Sequence, residues 1–373
     1  MRVKVFTLGD IHLGHHNTPT RLIAENINKV LKDNYKVISK VDMIVLVGDT
    51  FDRLLSAASD EFALSVSTIG VIVEFVAKHN IALRILEGTV SHDRGQGRIF
   101  QTIVDKFNVQ INFAYINQVS IEINKKLGTS ILYIPDLAVN ATATFDKVLE
   151  LLKENNLEKV DVCYMHGAFK YQLPCVPSVY THDEESYLSV VRYFIIINHV
   201  HVFSTYKRII APGSFDRIAH GEEGEKGGLV FTYGNNKSDI GYQRIINHNA
   251  KKYITIDLKS EDDIGEILAI LDKKMNDISI DTAVRVICKK EILDNVFIKS
   301  IQGRYNGYKI EFKKYDTITN ENATSFKMEN VNEIGELDIT RDNILSLLTN
   351  ELSKSDFSKS DWEIFKEEMK RII

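Results

Sequence analysis

The sequence predicts an α/β protein: a large first domain, then a small α+β module and a helical tail. The first 235 residues alternate short β-branched apolar runs with longer amphipathic stretches, the pattern of an α/β domain with a buried sheet. Five of the predicted strands run directly into turns that contain Asp or His. A chain of 373 residues with 44% hydrophobic composition can bury a full core. We therefore predict domains at residues 1–245, 250–335 and 341–373.

The elements of the first domain follow from its hydrophobic periodicity. Short apolar runs predict strands at Val3–Leu8, Val41–Val47, Ile81–Leu86, Ser130–Ile134, Val160–Met165, Tyr193–Ile197, Arg208–Ala211 and Leu229–Tyr233. Apolar residues at helical spacing predict helices at Thr20–Asn34, Asp60–His79 and Phe145–Asn155. Asn156 follows the last of these as a helix stop.

The remaining residues predict smaller units. We predict that the small module contains, in order, a strand at Tyr253–Leu258, a helix at Asp262–Lys274, and strands at Ala283–Lys289 and Lys309–Lys314. The tail carries two amphipathic helical patterns, at Arg341–Leu352 and Ser360–Ile372. Its apolar faces fit either a partner protein or packing back on the small module.

Composition limits the class of protein. Apolar runs such as Tyr193–Ile197 are too short to span a bilayer, and the first residues predict a strand instead of a secretion leader. Three scattered cysteines form neither a disulfide framework nor a zinc-type pair: Cys163, Cys175 and Cys288. We therefore expect a soluble, cytoplasmic protein without a membrane partner. The net charge of −5 argues mildly against coating DNA by bulk electrostatics, although two bound divalent cations would add positive charge where a phosphate must sit.

Asp and His residues cluster after five predicted strands, where α/β folds place their ligand sites. The five turns are Asp10-Ile11-His12, Gly48-Asp49-Thr50-Phe51-Asp52, Gly88-Thr89-Val90-Ser91-His92-Asp93, His166-Gly167 and Asn198-His199-Val200-His201. A single strand-end Asp or His is more often a helix cap or a structural residue. Carboxylates and imidazoles from five turns on one rim, however, are costly to bury together unless a metal compensates their charge.

The residue types predict a site for two divalent metal ions. Mixed imidazole and carboxylate ligation suits manganese, iron or zinc better than calcium, and Mn²⁺ is our first choice, with Mg²⁺ as the alternative. Two metals about 3.5–4 Å apart can clamp a phosphodiester and activate a water as nucleophile. The expected chemistry is hydrolysis without a covalent enzyme intermediate.

The order of these five motifs resembles the calcineurin-like metallophosphoesterase family, whose fold is a sandwich of two sheets flanked by helices. A narrower resemblance lies in Ala211-Pro212-Gly213-Ser214-Phe215-Asp216-Arg217 and in the Gly-Glu…Lys-Gly segment 221–228. These segments are similar to signatures of SbcD-type DNA nucleases, which pair with an SMC-like ATPase of the SbcC type. The resemblance covers residues 1–235, and the compact length suggests a phage recombination endonuclease acting in the host cytoplasm, with the small module as a capping domain.

The resemblance also implies roles for individual residues. It implies these ligands of the first metal: Asp10, His12, Asp49 and His201. Asp49 would bridge to the second metal, which His166 and His199 would also hold. His92 would protonate or stabilise the leaving 3′ oxygen, and Asp52 would lie beside it.

Two positions depart from the family pattern. The family has an Asn ligand of the second metal before the His of the third motif, whereas this chain has Ser91 and two inserted residues after Gly88. We expect Ser91 to serve as a shorter, poorer ligand. Asn198 stands where the family has Gly, a change that removes no ligand.

The resemblance implies an Mn-dependent exonuclease on duplex ends and endonuclease on single strands or hairpins, acting in DNA repair, recombination and replication. The expected assembly is a homodimer within a heterotetramer with the ATPase. Arg94, Arg98, Lys207 and Arg217 lie near the motif loops and are candidates to contact DNA phosphates, or else solvated surface charges. Two other functions fit the same residues: a small-substrate phosphodiesterase, and a catalytically weak scaffold for DNA ends and the ATPase.

Overall fold

The structure is a computed structural model that describes residues 2–106, 110–136, 140–176 and 180–315. Its strands are β1 Arg2–Leu8, β2 Met43–Val47, β3 Ala82–Leu86, β4 Phe113–Ile116, β5 Ser120–Asn124, β6 Thr129–Ile134, β7 Val160–His166, β8 Val191–Asn198, β9 Ser204–Tyr206, β10 Ile209–Ala211, β11 Gly227–Gly234, β12 Gly241–Ile246, β13 Tyr253–Leu258, β14 Ala283–Lys289 and β15 Lys309–Tyr315. Its helices are α1 Thr20–Asp33, α2 Tyr35–Ile38, α3 Asp60–His79, α4 Arg98–Lys106, α5 Ala141–Glu154, α6 Glu184–Val190, α7 Ile264–Met275 and α8 Asn295–Arg304.

Two six-stranded mixed sheets form the first domain. The first sheet has the order β12-β11-β1-β2-β3-β4, with β1 to β4 parallel and β11 antiparallel to β1. The second has the order β5-β6-β7-β8-β10-β9, with β6, β7, β8 and β10 parallel. Because parallel strands end at the same edge of a sheet, the turns after β1, β2 and β3 are neighbours, as are those after β7 and β8.

The apolar residues form layers around these sheets. One buried cluster contains residues of both sheets, such as Val5 and Val45 from the first and Tyr133, Tyr164 and Ile196 from the second. A second cluster joins the first sheet to α1, α3 and α4, and a third joins the other sheet to α5 and α6. Each sheet therefore packs against its partner on one face and against helices on the other, in a mixed α/β architecture.

The small module differs from its sequence prediction by one helix. Its three strands, β13, β14 and β15, pair in parallel, and a cluster that includes Ile256, Leu271, Val286 and Ile301 fills its core. Parallel neighbours need a crossover connection, and α8 supplies the one between β14 and β15. Asp294 caps α8 by accepting a hydrogen bond from the backbone N–H of Phe297, a signal the prediction missed.

Element boundaries in the first domain shift by a few residues. The predicted helix at Phe145–Asn155 begins earlier, at Ala141, because the side chain of Asn140 caps it. Helices α2, α4 and α6 and strands β4, β5, β9 and β12 were not predicted. The helical tail at 341–373 and residues 316–335 of the predicted second domain lie outside the described residues. None of the helices in the described part of the chain has the length and apolar composition to cross a membrane.

Candidate metal centre

Backbone hydrogen bonds hold the turns after β1 and β2 together. The N–H of Asp10 donates to the carbonyl of Gly48 at 3.1 Å, and the N–H groups of Ile11 and His12 both donate to the carbonyl of Asp49, at 2.9 and 3.0 Å. The third turn joins them through Asp93, whose carboxylate accepts from the N–H groups of Phe51 and Gly88 at 2.8 and 2.7 Å. Burial is the largest cause that raises the pKa of Asp93 to about 8.

The first set of candidate ligands consists of Asp10, His12 and His201, which offer ligand atoms within 4.8 Å of one another. Nε2 of His12 lies 3.1 Å from Nε2 of His201. Asp10 is fully buried, and its Oδ1 has no hydrogen-bond partner among the described residues. Its Oδ2 accepts hydrogen bonds from the side chain of Asn198 and from the N–H of His199, both at 3.1 Å.

The second set consists of Asp49, His166 and His199. Asp49 Oδ2 lies 3.3 Å from Nε2 of His166 and 4.0 Å from Nε2 of His12, so this carboxylate stands between the two sets. Burial acts to lower the pKa of His166, but the charge of Asp49 and its hydrogen bond outweigh burial and raise the pKa to about 10. The site therefore carries a negative potential that favours a cation.

Three rings present Nε2 to the centre because an acceptor faces Nδ1. Nδ1 of His166 donates to the carbonyl of Val47 at 3.0 Å, and Nδ1 of His201 donates to Oε1 of Glu222 at 2.8 Å. The carboxylate Oδ1 of Asp52 lies 3.2 Å from Nδ1 of His12 and favours a proton on that nitrogen. These partners fix the tautomer in which Nε2 carries a lone pair, the form that binds a metal.

These donors fit divalent metal ions. Nε2 of His12 and Nε2 of His201 lie 3.1 Å apart beside a buried carboxylate oxygen that has no hydrogen-bond partner among the described residues, and a cation among these atoms would compensate their burial. Imidazole nitrogens mixed with carboxylate oxygens suit a divalent transition metal. Asp10, His12 and His201 would hold one ion, and Asp49, His166 and His199 the other.

Four of these residues have backbone angles that L side chains rarely adopt: φ is 47° at Asp10, 55° at His12, 47° at Asp49 and 132° at His199. Such conformations cost about 1–3 kcal/mol each and persist where surrounding structure enforces them. The hydrogen bonds between the first two turns hold Asp10, His12 and Asp49, and the N–H of His199 donates to Asp10 Oδ2. The φ values turn the ligand side chains out of the strand direction toward the centre.

Asn198, noted as a departure from the family pattern, has a structural role here. Its side chain donates to Asp10 Oδ2 and to the carbonyl of Gly213, both at 3.1 Å. A Cβ on Gly9 would lie 2.3 Å from the Asn198 side chain, so the glycine makes room for the amide. Asn198 thus orients the Asp10 carboxylate.

A buried ion network supports His201 from behind. Glu222 accepts from His201 through Oε1, while Nζ of Lys226 donates to Oε2 of Glu222 at 3.1 Å, to the His201 carbonyl at 2.7 Å and to Oγ of Ser214 at 2.8 Å. Burial acts to raise the pKa of Glu222, but His201 and Lys226 lower it to about 2. Sequence reasoning gave these residues no role, although Ser214, Glu222 and Lys226 belong to the segments that carry the narrower resemblance.

His92 and Asp52 lie next to the first ligand set. Nδ1 of His92 donates to the backbone carbonyl of Asp52 at 2.6 Å, and its ring centroid lies 5.1 Å from that of His12. His12, Asp52 and His92 form a third group of potential ligand atoms, and His15, His16 and Asp52 form a fourth. Nδ1 of His15 accepts from two backbone N–H groups, at 3.1 and 3.2 Å, so its proton lies on Nε2 and the ring is a donor instead of a ligand.

The third turn places Thr89 in the second ligand set, where Ser91 was expected. Oγ1 of Thr89 lies 3.2 Å from Asp49 Oδ2, 3.3 Å from His166 Nε2 and 3.4 Å from His199 Nδ1. The side chain of Ser91 is exposed, and its backbone carbonyl accepts a hydrogen bond from Nε of Arg94. Thr89, and not Ser91, is therefore the residue of the third turn that joins the cluster.

The four basic residues considered for DNA contact have different environments. Arg94 and Arg98 are exposed and follow His92 in the third turn and at the start of α4. Lys207 pairs with Glu185 at 2.5 Å. Arg217 donates to the carbonyls of Gly224, Ala250 and Lys251 at 3.0–3.2 Å, so this guanidinium links the first domain to the start of the small module.

Comparisons with known proteins leave the family open. No family model matches the chain, and no curated protein matches it. Among solved structures, TT1561 of Thermus thermophilus is similar at 9% identity with a TM-score of 0.38, over 66% of this chain and 100% of that one. Another crystal structure is similar at 12% identity with a TM-score of 0.39 and the same coverage.

Proposed function

We propose that the chain is a manganese-dependent, two-metal phosphodiesterase with the calcineurin-like fold, and that it is the nuclease subunit of an SbcCD-like DNA-processing complex. The observation that carries the proposal is the position of Asp49 between two sets of His and Asp ligand atoms. Two divalent cations held there would supply Lewis-acid activation of a phosphodiester and of the attacking water.

The protein's own residues then divide the remaining work. Asp49 offsets the repulsion between two close cations. His92, held through Nδ1 by the carbonyl of Asp52, can present Nε2 to a leaving oxygen beside the first ligand set. An imidazole donates a proton near neutral pH, and such general-acid assistance contributes about 10²–10⁴ in rate.

Two features favour a nucleic acid as the substrate. Arg94 and Arg98 follow His92 and are exposed, where phosphates of a bound strand can reach them. A cavity of about 160 Å³ lies beside His166 and His199, and the exposed ring of Tyr180 lines it. Exposed aromatic rings stack on bases of single strands. The ATPase partner and the homodimer belong to the proposal through the resemblance to SbcD-type nucleases.

Hydrolysis assays with manganese test the proposal on three substrates: linear duplex DNA, circular single-stranded DNA and a nitrophenyl phosphodiester. We expect cleavage of DNA, and we expect Asp49→Ala to abolish it. His92→Ser should slow DNA cleavage by about 10²–10⁴. The same variant should affect the nitrophenyl diester much less, because that leaving group needs little proton assistance.

The outcomes separate the alternatives. Hydrolysis confined to the nitrophenyl diester would support a small-substrate phosphodiesterase, and DNA binding without hydrolysis would support a scaffold. Substantial DNA cleavage by Asp49→Ala would contradict the two-metal assignment. Loss of one bound manganese in His92→Ser would make His92 a ligand instead of an acid.

A further inference from the structure

The hydroxyl group of Thr89 lies among the ligand atoms of the second set. Its Oγ1 lies 3.2–3.4 Å from an oxygen of Asp49 and from one nitrogen each of His166 and His199. Among the described residues, no other side chain of the third turn makes comparable contacts with three ligand residues of the second set. The second set therefore contains a fourth polar atom that no motif assigned to it.

Backbone contacts fix the position of this hydroxyl. The N–H of Thr89 donates to Asp49 Oδ1 at 2.6 Å, and its carbonyl accepts from the N–H groups of His92 and Asp93 at 2.9 and 3.1 Å. A Cβ on the preceding Gly88 would lie 2.1 Å from the backbone nitrogen of Asp49, so the chain approaches this carboxylate closely. The hydrogen bonds of its main chain thus fix the position of the Thr89 side chain.

The chemistry of a hydroxyl suits this position. It has one proton and two lone pairs, so Oγ1 can donate to Asp49 Oδ2 and still offer a lone pair to a cation. Threonine and serine hydroxyls bind Mg²⁺ in phosphate-binding loops, which shows that a neutral hydroxyl can complete the shell of a hard cation. A hydroxyl is a weaker donor than a carboxylate or an imidazole.

We propose that Thr89, and not Ser91, completes the ligand set of the second cation together with Asp49, His166 and His199, an inference that rests on the proposed two-metal function. The second site then binds its cation more weakly than the first. Asp10, His12 and His201 supply two imidazole nitrogens and one carboxylate oxygen to the first set.

Calorimetric titration of the full-length protein with Mn²⁺ tests this assignment in three variants. Thr89→Val keeps the shape of the side chain and removes the hydroxyl, Thr89→Ser keeps the hydroxyl, and Ser91→Ala is the matched control on the same turn. We expect two manganese ions per wild-type chain, one bound more weakly. Thr89→Val should weaken the binding of only that ion, by about tenfold or more. Thr89→Ser and Ser91→Ala should bind both ions as the wild type does.

Three results would overturn the assignment. Equal binding of both ions by Thr89→Val and wild type would remove Thr89 from the ligand set while leaving the two-metal function in place. Weaker second-ion binding in Ser91→Ala would return the role to Ser91. A wild-type chain that binds no manganese would contradict the proposed function as well.

Circular dichroism tests whether Thr89→Val is folded. Thr89→Ala is a second variant that lacks the hydroxyl.

Discussion

At the scale of single residues, the atoms behind the ligands matter as much as the ligands. An imidazole can bind a metal through Nε2 only if its proton stays on Nδ1, and an acceptor faces Nδ1 of three candidate ligands: Asp52 for His12, a backbone carbonyl for His166, and Glu222 for His201. The Glu222 contact differs from the others because a buried lysine, Lys226, balances its charge.

Glu222→Gln tests this support. The amide can still accept from Nδ1 of His201, but it loses the negative charge that favours the proton there and leaves Lys226 without its counter-ion. We expect manganese affinity at the first site to fall about 10–100-fold. Glu223→Gln is the control, because Glu223 is exposed and contacts Thr255 instead. Equal affinities in the two variants, measured by calorimetry, would exclude a role for Glu222 in orienting His201.

Sequence reasoning predicted several candidate ligands from their residue types and their positions after strands. Asp10, His12, Asp49, His166 and His199 are examples, and the structure brings them together. It did not predict Thr89, because the two inserted residues change which side chain of the third turn faces the centre. Motif spacing cannot give the path of a turn that has an altered length.

At the scale of elements, close contacts restrict the turn after β2. Gly48 has φ of +76°, and a Cβ there would lie 2.1 Å from Nδ1 of His166. Strand periodicity predicted β2 well because its residues are all buried. The same periodicity carries no information on the turn, whose course depends on contacts with β1 and β7. Helix α8 was missed for a different reason: its capping residue, Asp294, was not used as a signal for the start of a helix.

Gly48→Ala should therefore destabilise the protein by about 1–3 kcal/mol and weaken manganese binding, since the methyl group displaces the His166 ring. Gly70→Ala is the matched control. Gly70 lies within α3, and no heavy atom lies within 4 Å of a Cβ built there, so alanine should stabilise the helix by about 0.5–1 kcal/mol. Urea unfolding and calorimetry measure both effects. A Gly48→Ala protein with wild-type stability would contradict the close approach.

At the scale of the whole molecule, the chain divides into two units, Met1–Tyr315 and Asp316–Ile373. The candidate ligand atoms and the four apolar clusters found among the described residues belong to the first unit. Within it, Arg217 joins the two-sheet domain to the small module through the carbonyls of Ala250 and Lys251. Sequence reasoning had considered this arginine as a DNA contact or a solvated surface charge, because a single sequence does not show which carbonyls a guanidinium can reach.

A chain that ends at Tyr315 should keep the wild-type manganese stoichiometry and the wild-type hydrolysis of the nitrophenyl diester, because the candidate ligands found in the described part of the chain all lie in the first unit. We expect the same chain to lose co-purification with the ATPase, which the predicted tail should bind. Co-purification of the shortened chain would place the partner's surface within residues 1–315. Loss of manganese binding would show instead that the second unit supports the centre.

The positive φ values of Asp10, His12, Asp49 and His199 bear on how such a protein responds to selection. Glycine adopts these angles without steric cost, so replacing any of the four by glycine relieves strain in the metal-free protein. Selection for thermostability without metal would thus favour chains that have lost their ligands. Manganese in the medium would reverse that preference, since a bound cation stabilises only chains that keep a site for it. The metal supply during selection would decide which sequence survives.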